Sequence, residues 1–183
     1  MKALKRLMAA LVVLLVLATG VALDYLLPRH EVVLVTGVEV KRVDDDGVIN
    51  AENPADGPTR DVYYINTEHP DTHEVMVYRN EDTGWGFPWY FKFDSADVQA
   101  RAQGFSRDSK QLALIRHYGW RIQILSVFPN LVSVEATDSR DEPFAVFNTL
   151  FLAVLTLLVL FVAWRLSRLV RSRRATSGTT VVP

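Results

Sequence analysis

Cysteine is absent from the 183 residues of this chain, and so are the sequence motifs of the common catalytic sites. Without cysteine there is no disulfide bond, thiolate nucleophile, zinc–thiolate site or iron–sulfur cluster. The chain also contains no Gly-x-Ser-x-Gly, no His-Glu-x-x-His and no phosphate-binding loop. We therefore expect no cofactor, no metal and no catalytic residues, and a binding function is favoured over an enzymatic one.

Negative charge is absent from both ends of the chain. All 21 acidic residues lie between Asp24 and Glu142, whereas the two terminal segments carry only basic charge. From Tyr25 to Pro143 there are 20 acidic and 12 basic residues, a net charge of −8, which disfavours nucleic acid as a partner because phosphates would be repelled. Because basic flanks remain in the cytoplasm, this pattern predicts cytoplasmic termini and a middle segment on the outer side of the membrane.

Two long uncharged runs separate the basic ends from the acidic middle. The first includes Leu7–Leu23, whose 17 residues would reach about 25 Å as a helix, close to the thickness of the hydrocarbon core. We interpret residues 7–27 as a signal anchor. A cleaved signal peptide is the alternative, although its apolar region is usually shorter.

The second run, residues 144–164, ends at Trp164, an aromatic residue typical of the membrane interface, and Arg165 and Arg168 follow it. Neither run has an ionisable residue near its centre, as transporters usually need, so we interpret both as anchors in the lipid bilayer. The predicted organisation is a basic cytoplasmic N-terminus (1–6), a transmembrane helix (7–27), an extracytoplasmic domain (28–143), a second transmembrane helix (144–164) and a basic cytoplasmic tail (165–183). The end of the tail, from Ala175, is expected to be disordered.

Short β-like segments dominate the middle domain. Alternating or β-branched residues predict strands over 31–43, 60–66, 75–79, 111–116, 120–125 and 131–136. One short helix is predicted among them, with Asp94 or Ser95 as its cap and Gly104 near its end. The fold class is therefore a membrane-anchored α+β protein in which two transmembrane helices flank a small, mainly β domain. The domain is expected to be a barrel or roll, with OB-like and SH3-like barrels as the candidates.

Turn residues define further local features of this domain. Gly37 interrupts the first strand and predicts a β-bulge, and Asp44–Gly47 is typical of a hairpin turn. His69 and His73 lie four residues apart beside acidic residues, which is suitable chemistry for a transition metal. Pro70 opposes a helix that would align the two rings, so a polar hairpin tip is favoured instead.

Aromatic residues are concentrated between Gly84 and Phe93. Core packing is the favoured interpretation, because a small β domain needs large buried side chains. Contact with lipid headgroups, or stacking on a glycan or peptide ligand, are the alternatives. Trp120 is likewise predicted to be a core anchor, on a strand face shared with Ile122 and Ile124.

Charged residues near the aromatic segment are the candidates for a ligand-binding site. The candidate residues are Arg79, Glu81, Asp82 and Arg121, with Trp85 and Trp89 as stacking partners. The alternative role of the charged side chains is buried ion pairing that fixes the barrel. Trp164, Arg165 and Arg168 are assigned to the membrane interface instead.

Several segments resemble one known bacterial family. They are Thr36–Arg42, Tyr78–Trp85, Tyr90–Asp97, Gly119–Ile122 and Leu125–Asn130, and the likeness covers most of residues 28–134. Together they are similar to the membrane-protein family called domain of unknown function 1523. The resemblance implies a membrane-anchored bacterial protein, and it implies no activity and no catalytic residues.

The favoured hypothesis is a non-enzymatic binding module in the cell envelope, held by two anchors. Its partner would be an envelope protein, a glycan or a lipid. One alternative is an envelope hydrolase, in which Glu81 and Asp82 would supply acid–base chemistry. Another is an accessory subunit of a transport complex, which the two plain apolar runs disfavour.

Overall fold

The computed structural model describes residues 2–44, 47–108 and 110–176. The chain forms two compact units, one ending at Pro143 and one beginning at Phe144. The first unit contains α1 (Lys2–Leu26), β1 (Arg29–Asp44), β2 (Gly47–Val48), β3 (Arg60–Glu68), β4 (Val75–Asn80), α2 (Ser95–Phe105), β5 (Leu112–Tyr118), a 3₁₀ turn (Gln123–Leu125) and β6 (Asn130–Ala136). The second unit contains α3 (Val146–Thr176).

Helices α1 and α3 are both long and apolar enough to cross a membrane, judged by length and composition. α1 ends at Leu26, close to Pro28, whose ring disfavours a helical conformation in the residue before it. α3 continues beyond the boundary predicted at Trp164 and includes Ala175, which was expected to begin a disordered end. Residues 177–183, the remainder of that predicted end, lie outside the described residues.

Strand β1 is long enough to pair with two partners. Residues 29–34 pair antiparallel with β5, and residues 34–43 pair antiparallel with β3. The register shifts between Val35 and Gly37, which confirms the predicted bulge. Because a bulge bends a strand and increases its twist, it allows one strand to contribute to two walls of a curved sheet.

The five long strands close into a ring. β3 and β4 form an antiparallel hairpin, β5 and β6 are antiparallel, and β4 meets β6 in parallel through the pair Arg79 and Asn130. The pairing of β5 with β1 completes the circuit. The short β2 pairs with the end of β1, and the turn residues Asp45 and Asp46 between them lie outside the described residues.

The hairpin tip predicted at His69–His73 joins β3 to β4. Nδ1 of His69 accepts hydrogen bonds of 3.2 Å from the main-chain N–H groups of Asp71 and Thr72. Nδ1 of His73 contacts the carboxylate of Glu68. One ring nitrogen of each histidine therefore has a partner within the turn, and the pair stabilises the hairpin tip.

The core fills the ring and is closed by α2. The strand residues of the main hydrophobic core are Val33, Val35, Ile65, Tyr78, Ala113, Ile115, Leu131 and Val134. Val98 and Ala102, one turn apart on α2, are fully buried against them. The predicted helix is therefore confirmed, and its apolar face completes the core.

The predicted strand over residues 120–125 is wrong. β5 ends at Tyr118, and Gly119, at φ 91°, turns the chain into a loop that contains a 3₁₀ turn. Trp120 is only partly buried, and Ile124 is 92% exposed. Trp120 is therefore not a core anchor. The apolar and polar residues alternate here in a loop, and its backbone has no strand partner beyond the isolated bridge from Ile122 to Val127.

Candidate functional site

The segment between β4 and α2 forms a loop that is fixed at its base. We call residues Gly84–Phe93 the aromatic loop. The N–H of Gly84 donates to the carbonyl of Lys92 at 2.9 Å, and the N–H of Lys92 donates to Oγ1 of Thr83 at 3.1 Å. These two bonds close the loop, so the residues between them are displayed from a defined base.

Lys92 anchors this base inside the barrel. Its side chain is buried, and its ammonium donates to the carbonyl of Leu131 at 2.6 Å and to the side-chain oxygen of Asn80. Burial lowers the pKa of Lys92 to about 8, because the charged form loses water. A lysine among aromatic residues gives no sequence signal of burial.

Five rings of the aromatic loop are exposed, which corrects the core interpretation. The exposed fractions are 80% for Trp85, 64% for Phe87, 67% for Trp89, 53% for Phe91 and 55% for Phe93. Trp85 packs edge-on against Phe91 and Phe93, and Phe87 packs edge-on against Trp89. The rings therefore contact one another at the surface, because the barrel interior is already filled by the smaller side chains of the strands.

Tyr90 is the ring of this loop that points inward. It stacks on Tyr118 at a centroid distance of 4.5 Å and an interplanar angle of 9°. Its hydroxyl donates to the main-chain carbonyl of Leu26, the last residue of α1. Burial raises the pKa of Tyr90 to about 12, so the hydroxyl remains a donor at neutral pH. The aromatic loop is thereby joined directly to the end of α1.

The end of α1 is also fixed by the loop that follows β5. Oδ2 of Asp24 accepts a 2.8 Å bond from the indole N–H of Trp120, and Oδ1 pairs with Arg29 at 2.6 Å. The carbonyl of Tyr25 accepts the N–H of Gly119 at 2.9 Å. A Cβ at Gly119 would lie 3.5 Å from the Tyr25 ring at a φ of +91°, which favours glycine there.

A cleft of about 330 Å³ opens beside the aromatic loop. It brings together three predicted site residues, Arg79, Glu81 and Asp82, and its apolar wall includes Phe87 of the loop and Tyr25 of α1. The cleft lies at the seam where β4 and β6 pair through Arg79 and Asn130. Sequence reasoning missed Tyr25, Tyr118 and Asn130, because their approach depends on closure of the barrel.

Structural partners already occupy the polar residues of this cleft. Glu81 pairs with Arg79 at 2.8 Å and also with Arg60. The side chain of Asn130 closes the seam, because its oxygen accepts the N–H of Glu81 at 2.9 Å and its amide donates to the carbonyl of Glu81 at 3.1 Å. The alternative role of ion pairing therefore describes Arg79 and Glu81 well.

Asp82 stabilises the start of α2. Its Oδ1 accepts the main-chain N–H of Ser95 and its Oδ2 accepts the Ser95 hydroxyl, both at 2.9 Å. Asp94, the residue at the cap position, makes no side-chain capping bond. The predicted cap was therefore correct in position, and the carboxylate that bonds to the first turn comes from Asp82 in the preceding loop.

The remaining predicted site residues do not line the cleft. Arg121 lies with its guanidinium 4.1 Å from the centre of the Phe128 ring and donates to the carbonyl of Val127 at 2.9 Å, so it holds its own loop together. Trp85 and Trp89 stand on the exposed side of the aromatic loop. In α3, the guanidinium of Arg168 lies 4.7 Å from the Trp164 ring.

A second polar cluster joins side chains of β1, β4 and β5. Glu31 accepts a 2.6 Å bond from the hydroxyl of Tyr78 and lies 3.1 Å from Nε2 of His117. The contacts with His117 and Tyr78 hold the pKa of Glu31 below its usual range, whereas burial raises the pKa of Tyr78. Each of the three side chains therefore has a partner in the cluster, as buried polar groups generally require, whereas Nδ1 of His117 is buried without a partner among the described residues.

The comparisons with known proteins place this chain in one family. The model of the family described as "Protein of unknown function (DUF1523)" matches residues 4–170. The chain therefore belongs to this family. An uncharacterised protein from Haemophilus influenzae is 51% identical over 140 residues, which cover 76% of this chain and 79% of that protein. No solved structure matches the chain.

Proposed function

We propose that this protein is a non-enzymatic binding module of the bacterial cell envelope, anchored in the inner membrane by α1 and α3. Both termini lie in the cytoplasm, and the domain of residues 28–143 lies outside. The two apolar helices and the restriction of acidic residues to the segment between them support this topology. The aromatic loop is the binding surface, and its partner is an envelope component rather than nucleic acid.

The strand order supports an OB-like barrel. The first long strand pairs with the second and fourth long strands, the third and fifth strands are parallel, and a helix lies between the third and fourth. OB-folds are partly open five-stranded barrels that bind ligands through one face and its neighbouring loops. The aromatic loop and the cleft both lie at the seam where β4 meets β6, the least extensive pairing of this ring.

The observation that carries the proposal is the exposure of the five rings on a loop with a fixed base. Tryptophan dominates binding sites because its large apolar surface is desolvated on contact, and it loses little conformational entropy if it is already held in place. The two bonds at the base of the loop and the Tyr90 contacts provide that order before a partner arrives.

The hydrolase alternative receives no support from its own candidate residues. Both carboxylate oxygens of Asp82 accept bonds from Ser95, and the carboxylate of Glu81 is paired with two arginines. A general acid or base needs a carboxyl group that faces the substrate with a pKa suited to proton transfer. The local geometry instead uses these two residues to stabilise α2 and the seam.

The proposal is tested with the full chain purified in mild detergent after crosslinking in intact cells. The double variant Trp85→Ala/Trp89→Ala is expected to keep its far-UV circular dichroism and thermal midpoint, and to lose crosslinked envelope components, whether protein, glycan or lipid. Val75→Ala, at a residue that is 67% exposed at the opposite end of β4, is the matched control and is expected to retain them. A folded double variant with unchanged crosslinks would reject the aromatic loop as the binding surface.

A further inference from the structure

The aromatic loop lies at the level where α1 would leave the hydrocarbon core. The uncharged run of α1 ends at Leu23, and Asp24 is the first charge after it. The hydroxyl of Tyr90 contacts the carbonyl of Leu26, three residues beyond that run. A helix advances only about 1.5 Å per residue, so this contact places the Tyr90 side chain within a few ångströms of the boundary between hydrocarbon and headgroups.

The neighbouring loop presents a second apolar group beside the same helix end. In the segment between β5 and β6, Ile124 is 92% exposed and Leu125 is 67% exposed. The same segment bonds to α1 through Trp120 and Asp24 at 2.8 Å. Two separate loops that both contact the end of α1 therefore carry exposed apolar side chains. Single exposed apolar residues are common on protein surfaces, but a group of them at one place indicates an interaction surface.

We infer that the aromatic loop, together with Ile124 and Leu125, docks on the lipid bilayer surrounding α1, with its rings in the interfacial layer of the outer leaflet. This inference rests on the proposed function, because it identifies the partner of the aromatic loop as the membrane that α1 crosses. Aromatic rings are enriched at this depth because one part of the ring system meets apolar chains and another meets water and headgroups.

The charges near the loop fit a zwitterionic lipid surface. Glu81 pairs with Arg60 and Arg79, the neighbouring Asp82 adds a negative charge that offsets the second arginine, and the ammonium of Lys92 points into the barrel. No cluster of exposed lysine or arginine side chains on the described part of the aromatic loop would require an anionic headgroup. A protein partner on these rings would have to fit between the barrel and the bilayer, next to the point where α1 enters.

The absence of native cysteine allows single-cysteine labelling of the full chain. Nitroxide labels are placed at Trp89→Cys in the aromatic loop, at Val13→Cys within α1 and at Asp56→Cys in the exposed loop between β2 and β3. Each variant is reconstituted in vesicles of palmitoyl-oleoyl phosphatidylcholine. Relaxation of the label by oxygen, which partitions into lipid, is then compared with relaxation by a water-soluble nickel complex.

The label at residue 89 is expected to be relaxed more by oxygen than by nickel, as at residue 13, whereas the label at residue 56 shows the reverse order. The docking inference would be overturned if the label at residue 89 were relaxed more by nickel, as at residue 56, while the label at residue 13 was relaxed more by oxygen. That result would leave the proposed binding module intact. A label at residue 13 that is accessible to nickel would overturn the anchor and the proposed function with it.

A second measurement leaves the loop unlabelled. In vesicles that contain dibrominated phosphatidylcholine, the tryptophan fluorescence of the full chain is expected to be quenched by the bromine atoms. In the variant Trp120→Phe/Trp164→Phe, Trp85 and Trp89 are the remaining two of the four tryptophans, and their fluorescence is expected to be quenched. Unquenched fluorescence in this variant would place both rings away from lipid and overturn the inference.

Discussion

The indole N–H of Trp120 donates a 2.8 Å hydrogen bond to Oδ2 of Asp24, which lies 96 residues earlier in the chain. The Trp120 ring also meets the Tyr25 ring edge-on at 5.2 Å. These contacts connect the end of α1 to the loop after β5. Trp120 therefore acts at the junction between the apolar helix and the barrel, where a partly buried tryptophan can satisfy its N–H.

Replacement of Trp120 is expected to weaken this junction more than the core. Trp120→Ala should lower the thermal midpoint less than Leu131→Ala, which removes a fully buried side chain and should cost about 2 to 5 kcal/mol of unfolding free energy. Trp120→Phe retains the ring and removes only the bond to Asp24. Thermal unfolding of the full chain in detergent ranks the three variants, and a larger loss for Trp120→Ala than for Leu131→Ala would contradict this assignment.

Burial of Lys92 is expected to make stability depend on pH. The pKa of Lys92 falls from 10.5 to about 8 on folding, so between these values the unfolded chain holds a proton that the folded chain lacks. The contribution of Lys92 to the unfolding free energy therefore rises as pH increases from 8 to 10.5, by at most about 3 kcal/mol. Below pH 8 the buried ammonium is charged and its desolvation reduces stability.

Lys92→Met is the test of this linkage. The variant retains an unbranched side chain and cannot titrate, so the unfolding free energy of the native chain should rise relative to that of the variant between about pH 8 and about pH 10.5. Denaturant unfolding of both proteins in the same detergent measures this difference. Parallel pH profiles would show that Lys92 titrates normally and is not desolvated in the folded protein.

More of the barrel than of the candidate site could be predicted from the sequence. Strands were predicted at 31–43, 60–66, 75–79, 111–116 and 131–136 from alternating or β-branched residues, and all five occur in the structure. Their pairing and the closure of the ring depend on long-range contacts that local periodicity does not encode. The same alternation in residues 120–125 predicted a strand that does not occur. These residues form a loop with few backbone partners, where alternation of side chains carries no information about the backbone.

The candidate site shows where residue type is a weak guide. Arg79, Glu81 and Asp82 do meet at one cleft, as neighbours in sequence on either side of the end of β4. Tyr25 and Tyr90 were not predicted, since their contacts with Tyr118 join three segments distant in the chain. Exposure of the aromatic loop was only the alternative to the favoured core interpretation, because hydrophobic side chains usually fill a core and no local pattern distinguishes a core loop from a binding loop.

Asp82 is expected to matter more for α2 than Asp94 does. Asp82→Ala removes both bonds to Ser95 and should cost about 0.5 to 2 kcal/mol of stability, as the loss of an N-terminal cap generally does. Asp94→Ala is the matched control, because the Asp94 side chain makes no capping bond. Thermal midpoints of the two variants decide the question, and a greater loss for Asp94→Ala would assign the cap to Asp94 instead.

The most direct test of the central claim is the topology of the membrane-anchored module. Alkaline phosphatase, which is active only outside the cytoplasm, is fused after Asp56 in one protein and after Val182 in another, and expression of each fusion is checked by immunoblot. The restriction of acidic residues to the middle of the chain, between basic ends, predicts activity after Asp56 and none after Val182. Activity after Val182, or an expressed but inactive fusion after Asp56, would contradict a domain held outside the membrane by two spanning helices.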